Sequence, residues 1–334
     1  MGSEFFNQVQ YGKETTKGTS VAATQLFIGQ MPAIKTDRKP KYPKEHWGVR
    51  ANSFRGLIGQ YLYQNTLSVD DGAFQHLPLL LSGIKGNITA TETTGSQQDY
   101  LWTHTPSLTA TNAPDAFSLR FGDDQQAYLA EYCMFERIKI SGQVSQGSDF
   151  SPVRLEADFF GRQIATTTFT GALSPRTLHS MNAKNAQLYI DTSWAGVGGT
   201  ELANVLRTFD IEILTGVHPK FAGSTAKYFN RHAEGVIQVM ATFGIEGGSE
   251  AVTAFAAQMA GTLQVARLKI LGDQIGSGVN YNLTIDMSGT LEDATPISGN
   301  DRGDNLGQLT LHGFYDKTAS KLLQISCVTN HNAV

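Results

Sequence analysis

At 334 residues, 40% of them hydrophobic, the chain can bury the cores of two ordinary domains. Charged residues make up only 17%, against about 25% in a typical soluble domain, so much of the surface is uncharged Thr, Ser, Asn, Gln and Gly that is ready to pack. A formal net charge of -4 provides no overall field for gripping nucleic acid or an anionic membrane.

The opening residues, Met1-Gly2-Ser3-Glu4-Phe5-Phe6-Asn7, show neither a basic nor an apolar targeting region, so secretion by the usual route is not expected. The first strand signal is Gln25-Leu26-Phe27-Ile28-Gly29. It is followed by the one local concentration of positive charge, residues 35–47, with Lys35, Arg38, Lys39, Lys41 and Lys44 around Tyr42 and Trp47. Pro40 and Pro43 hold this segment extended and keep it out of a central strand. It is expected to project as a contact arm toward an acidic patch on a neighbouring subunit. The plainer alternative is a solvated loop with Tyr42 and Trp47 tucked against their own domain.

Phe74, Leu77, Pro78 and Leu81 fall at helical spacing, with Asp70 and Asp71 near the start and Gly83 near the end; Pro78 makes this helix short or kinked. The run 77–81 is the longest apolar one and is too short to cross a bilayer. Period-two alternation then marks strands at 116–121, 135–140 and 153–159. In the first of these, Phe117, Leu119 and Phe121 share one face and Ala116, Ser118 and Arg120 the other. Asp123 and Asp124, at the end of that strand, read as a solvated turn rather than a catalytic or Ca²⁺-binding pair.

Ser174-Pro175-Arg176 marks a boundary, giving domains at 1–175 and 176–334. The second half repeats the plan, with strands expected at 209–213, 236–240, 265–270, 281–285 and 309–314. Turn-rich stretches fall at 142–147, 272–278 and 298–305. Its helix begins at an N-cap Ser249 and stops at Gly261, and Val252, Phe255, Ala256 and Met259 form one apolar stripe for packing on a sheet. Three collinear matches support duplication. Gln25-Leu26-Phe27-Ile28-Gly29 returns as Gln187-Leu188-Tyr189-Ile190-Asp191, Ile138-Lys139-Ile140-Ser141-Gly142 as Ile285-Asp286-Met287-Ser288-Gly289, and Phe159-Phe160-Gly161-Arg162 as Phe314-Tyr315-Asp316-Lys317. The fold expected is mainly β: two tandem antiparallel sandwich- or barrel-like domains, each with one flanking helix and projecting loops.

Residue types that carry chemistry are scattered. The eight histidines show no His-x-x-x-His or His-x-His pairing, and neither Cys133 nor Cys327 has a CxxC partner; both cysteines are expected reduced and buried. Gly196-Val197-Gly198-Gly199 lacks dinucleotide-binding spacing, and no nucleophile elbow is present. No enzyme, cofactor or metal is therefore expected.

An ordered set of strand and turn signatures resembles the major tail tube proteins of long-tailed bacteriophages. It comprises Gly12-Lys13-Glu14-Thr15-Thr16-Lys17-Gly18-Thr19, Thr103-His104-Thr105-Pro106-Ser107, and 117–128 with Gly122, Asp123 and Asp124. Ile138-Lys139-Ile140-Ser141-Gly142, Phe159-Phe160-Gly161-Arg162 and Gly216-Val217-His218-Pro219-Lys220-Phe221 complete it. The resemblance implies a structural virion protein, made in the host cytoplasm, whose sheets join edge to edge into stacked rings. A duplicated chain would form homotrimeric rings of pseudo-sixfold symmetry, with the arm at 35–47 as the candidate bridge from one ring to the next. It further implies a tape measure protein and tail-end proteins as partners, and DNA passing through the lumen without specific binding. Three chains at -4 give -12 per ring, so the lumen wall is expected to be acidic or small and uncharged. The rival readings are another ring-forming tail component, such as a terminator or baseplate protein, and a β-rich carbohydrate- or receptor-binding protein using Trp47, Trp102 and Trp194 as stacking platforms.

Overall fold

The computed structural model describes residues 4–35, 37–46, 48–50, 53–95, 98–276, 278–301 and 303–334, with only the backbone described at 37–39. A 3-10 turn (Glu4–Phe6) leads into β1 (Gln8–Lys13), β2 (Gln25–Phe27), β3 (Asp37–Lys41) and β4 (Leu57–Val69). A second 3-10 turn (Phe74–His76) runs into α1 (Leu77–Leu81). Then come β5 (Thr91–Glu92), β6 (Tyr100–His104), β7 (Phe117–Gly122), β8 (Ala127–Gln143), β9 (Val153–Gly161) and β10 (Ile164–Thr167). The second half holds β11 (Ala186–Asp191), β12 (Leu206–Leu214), β13 (Val217–Lys220), β14 (Arg231–Glu234) and β15 (Gln238–Glu246). After α2 (Ser249–Ala260) follow β16 (Gln264–Ile275), β17 (Val279–Asp301), β18 (Asp304–Gly313) and β19 (Leu323–Thr329). The chain is mainly β, and every pairing between these strands is antiparallel. No helix among the described residues is long and apolar enough to cross a membrane.

Seven strands form one ladder in the order β4-β9-β8-β12-β15-β18-β17. A single row of paired residues crosses it: Val69, Leu155, Ile140, Ile211, Ala241, Leu311 and Leu291. All seven side chains are buried, which fixes the register, because a one-residue slip would turn an entire strand's apolar set to the other face. The seam between the halves of the chain is the β8–β12 pairing, where Gly142 lies so close to Phe209 that a Cβ would stand 2.4 Å from the ring. A second seam pairs β6 with β19, from His104↔Ile325 to Thr329↔Tyr100. One hydrophobic core runs through both halves.

A local pairing order also occurs twice. β1-β7-β8-β9-β4, with β10 beside β8, has the same connectivity as β11-β16-β17-β18-β15, with β19 beside β17. The short sequence matches do not follow this order. All three fall on different partners in the two halves: residues 138–142 of β8 pair with β9 and β12 whereas 285–287 of β17 pair with β16 and β19, Phe159 to Gly161 end β9 whereas Phe314 follows the end of β18, and Gln25-Leu26-Phe27 lies on β2, which pairs with β1, while Gln187-Leu188-Tyr189 lies on β11, which pairs with β16.

Three local expectations need correction. The stripe Val252, Phe255 and Met259 of α2 faces outward, 61%, 42% and 76% exposed, while Ala251 and Ala254 are buried. The helix lies close against its sheet through small residues, which leaves the larger ones outside. Its N-cap is Gly248 and not Ser249, although Gly261 ends it in a left-handed conformation as expected. Finally, most of the turn-rich stretch 298–305 is strand: β17 runs to Asp301 and β18 begins at Asp304, forming a projecting hairpin with Gly299↔Leu306 and Asn300↔Asn305 paired. The first helical segment is short and starts with Pro78 in its first turn, and all five residues of α1 are buried.

The junction between the halves holds histidines that burial keeps neutral. His76, His104 and His331 all have their pKa lowered by burial to about 4. The Trp102 indole N–H donates to the His331 carbonyl at 2.9 Å. In the unfolded chain such groups titrate near 6.5. As the pH falls from about 6.5 toward 4, the unfolded chain therefore takes up protons that the folded chain refuses, and stability present above 6.5 is lost. Urea unfolding midpoints are expected to stay level from pH 8 to 7 and to fall steadily below 6.5, with a shallower fall in His104→Phe. A wild-type midpoint unchanged between pH 7 and 4.5 would contradict this.

Candidate assembly surfaces

The arm expected at 35–47 is one side of a β-hairpin. Asp37↔Leu62, Arg38↔Tyr61, Pro40↔Ile58 and Lys41↔Leu57 pair β3 with the first half of β4, and the register shifts between Arg38 and Pro40. This is how a proline is accommodated: on an edge strand, at an irregularity. Lys35, Lys41, Tyr42 and Lys44 are exposed. The side chains of Arg38 and Lys39, and Trp47 as a whole, lie outside the described residues. The other wall of the hairpin is apolar and open, with Val49, Phe54, Leu57 and Ile58 exposed. Glu45 and Arg55 brace the loop through a 2.8 Å ion pair.

Gly122, Asp123 and Asp124 form a tight turn between β7 and β8. Gly122 has φ +152, and a Cβ there would stand 2.1 Å from the Gln126 carbonyl. The Asp123 carboxylate accepts from the backbone N–H groups of Gln125 (2.9 Å) and Gln126 (3.0 Å), which hold its pKa below the ordinary value. The turn is a capped connection.

His218, Pro219, Lys220 and Phe221 lie on or just after β13, which pairs with β14 as a separate two-stranded ribbon. This ribbon folds back on the first half of the chain. Phe229 is fully buried there, with ring centroids 4.9 Å from Tyr132 and 5.2 Å from Phe160. Phe221 packs edge-on against Phe229 at 6.2 Å, while His218 and Lys220 stay exposed. Together with Ala116, Met134 and Val217, these aromatics form a second, smaller core.

Arg162 fastens that core. Its Nε donates to the Phe229 carbonyl (3.1 Å), and its Nη1 donates to the Gly18 carbonyl (2.7 Å) and lies 3.3 Å from Glu131 Oε1. The guanidinium also lies over the rings of Tyr132 (5.0 Å) and Tyr228 (4.7 Å). Beneath it, β8 bends at Tyr132, whose φ of 56° lies in the left-handed region. The Tyr132 N–H leaves the ladder there and donates to Glu14 Oε1 (2.8 Å). Glu14 also accepts from the Ser118 hydroxyl and the Gly18 N–H, and burial raises its pKa. Glu14 and Tyr132 carried no sequence signal for this role, since they lie 118 residues apart.

Cys133 and Cys327 are free and buried. Trp102 is buried, and Trp194 lies beneath the Lys321 ammonium at 5.2 Å. Among the described residues no three His, Cys, Asp or Glu side chains converge as a metal-binding group. No model of a known protein family matches the chain, and no curated protein is significantly similar to it.

Replacing Arg162 with Ala removes charge-assisted bonds to two carbonyls and two cation–π contacts, a loss of about 2–4 kcal/mol. The β13–β14 ribbon is expected to loosen first, seen as faster proteolysis within residues 221–230. Arg162→Lys should recover part of the resistance. Equal cleavage rates in wild type and Arg162→Ala would remove the fastening role.

Proposed function

We propose that this chain is a structural, self-assembling protein, the subunit of a phage tail tube, in which two tandem copies of one sheet-plus-helix unit (1–175 and 176–334) sit side by side in each subunit. The observation that carries the reading is the repeated ladder and what its two ends lack. Inside the chain, β12 covers the edge of β8 at residues 137–143 and also pairs along β15. The corresponding stretch of β17, beyond Gly289, pairs only with β18 among the described residues. At the other end, the outer edge of β4 along Tyr63–Val69 has, among the described residues, the one bridge Gln30 to Ser68, where β15 has the whole of β12; its earlier part pairs with β3 and is bridged from Tyr61 to Tyr228. Open strand edges recruit further strands, and the β8–β12 seam is a working example of how one unit joins the next. Repetition of that contact between copies closes a ring, with three two-unit chains giving pseudo-sixfold symmetry.

Stacking has its own support. β4 and β17 run in the same direction, because every step between them in the ladder is antiparallel. The β3–β4 hairpin leaves from the start of β4 and the β17–β18 hairpin from the end of β17, so they project from opposite ends. Residues 35–58 carry seven Lys and Arg against two acidic residues, and residues 290–305 carry Glu292, Asp293, Asp301 and Asp304 against Arg302. Opposite charge at opposite ends favours head-to-tail stacking. Within such a tube the bore conducts DNA, the tape measure protein occupies it before ejection, and the tail-end proteins close it.

Negative-stain microscopy of the purified protein should show hollow filaments with regular cross-striations. Single rings that never lengthen would point to a terminator- or baseplate-type component, and a monodisperse monomer at high concentration would end the proposal. Deletion of residues 35–44 should leave folded subunits that do not polymerise. Tubes of normal length from that variant would take the hairpin out of assembly.

A further inference from the structure

The small core around Phe229 is a template for a contact that the chain leaves unmade. β9 ends at Gly161 and β18 ends at Gly313, each flanked on both sides by its neighbours in the equivalent five-strand order. In the first half this ladder end, Phe160-Gly161-Arg162, is covered by Phe229 from the β13–β14 ribbon, and Phe160 is fully buried. In the second half the same ladder end, His312-Gly313-Phe314-Tyr315, has no aromatic cover of this kind among the described residues. Phe314 and Tyr315 are 40% and 42% exposed and wall a groove of about 1030 Å³ whose other apolar lining includes Val236 and Leu108.

The ribbon that would fill it is identifiable by position. β13 and β14 stand immediately before β15, as β3 and the first half of β4 stand immediately before the paired part of β4, and β4 and β15 hold equivalent places in the two five-strand orders. Phe229 comes two residues before β14, and Phe54 comes three residues before β4. Phe229 is fully buried, whereas Phe54 is 61% exposed and its neighbours Leu57 and Ile58 are 46% and 47% exposed. We propose that the groove is the seat of the β3–β4 hairpin of a second copy of this chain, with Phe54 entering against Phe314, Tyr315 and Val236 as Phe229 enters against Tyr132 and Phe160. The occupant is fixed by the template: the second half seats its ribbon on the first half of its own chain, so the first half seats its hairpin on the second half of another. This rests on the tube reading and refines it, because the template contact runs between side-by-side units. The apolar root of the hairpin therefore grips the lateral neighbour in the ring, while the charge of the hairpin is left to the stacking contact.

Cross-linking tests this directly in the full chain, whose own cysteines are buried. Phe54→Cys and Tyr315→Cys are made separately and together, at positions exposed enough for the subunit to fold. Mild oxidation of the two single variants mixed is expected to give a covalent dimer that neither gives alone. The double variant is expected to give a covalent ladder that stops at a small closed number of chains. Tubes or rings without a mixed dimer would overturn the seat and leave the tube reading standing. A ladder with no upper limit would show the hairpin reaching the next ring and overturn the lateral contact. A wild-type protein that never assembles would defeat both.

Discussion

The β8–β12 seam is the contact on which the rest of the structure depends. Ile140 and Ile211 face each other across it with no exposed surface to speak of, and the pairing carries one buried row through seven strands from both halves of the chain. Without it, each half would present a long unpaired strand edge, with backbone N–H and C=O groups that only another strand can satisfy. Charge reinforces the seam on its outer face. Lys139 reaches Asp210 at 2.8 Å, and Arg137 lies among Glu156, Asp158 and Glu212, a network that raises the Arg137 pKa through its bond to Asp158. These pairs are partly exposed, so they align the strands more than they stabilise them.

Much of the strand content was legible in the sequence, because a half-buried strand must alternate. The segments at 116–121, 153–159 and 209–213 all show apolar residues at alternate positions, and the structure buries them. Alternation tells which face of a strand is buried but not which strand lies beside it. That β8 meets β12, or that β6 meets β19, depends on edges about 70 and about 225 residues apart, for which no local signal exists. The α2 face was misread for a related reason: spacing identified an apolar stripe correctly, but the closest approach to the sheet was made by Ala251 and Ala254. Residues 298–305 looked like a turn because Gly, Ser, Asn and Asp are turn formers, yet a solvated two-stranded ribbon tolerates them when each strand satisfies the other's backbone.

Of the residues singled out as assembly candidates, the structure gives physical roles to those that are buried. Phe160, Gly161 and Arg162 organise the small aromatic core, and Gly122 and Asp123 shape a turn. The exposed candidates, Lys35, Lys41, Tyr42 and Lys44 on one hairpin and His218 and Lys220 on the ribbon, face solvent. On the proposed reading, that division is what self-assembly requires. Residues that fold the subunit must be satisfied inside it, and residues that join subunits must remain unsatisfied until a copy arrives.

On the proposed reading, fusing two units in one chain changes the thermodynamics of ring closure. The contact across the β8–β12 seam is made at the effective concentration of a tethered pair, so it forms with folding and independently of protein concentration. Only the contact between chains then remains concentration-dependent, halving the number of associations a ring must make. A strand edge left open in a folded subunit is an aggregation hazard, and the chain limits it: β4 is shielded by the Gln30–Ser68 bridge, and the free edge of β17 lies in a hairpin bearing Glu292, Asp293, Asp301 and Asp304. Like charges on that hairpin oppose pairing with its own kind, whereas the basic hairpin at the opposite end of the ladder is attracted to it. The same charges that would stop two subunits from meeting edge to identical edge thus favour the one head-to-tail order that can propagate.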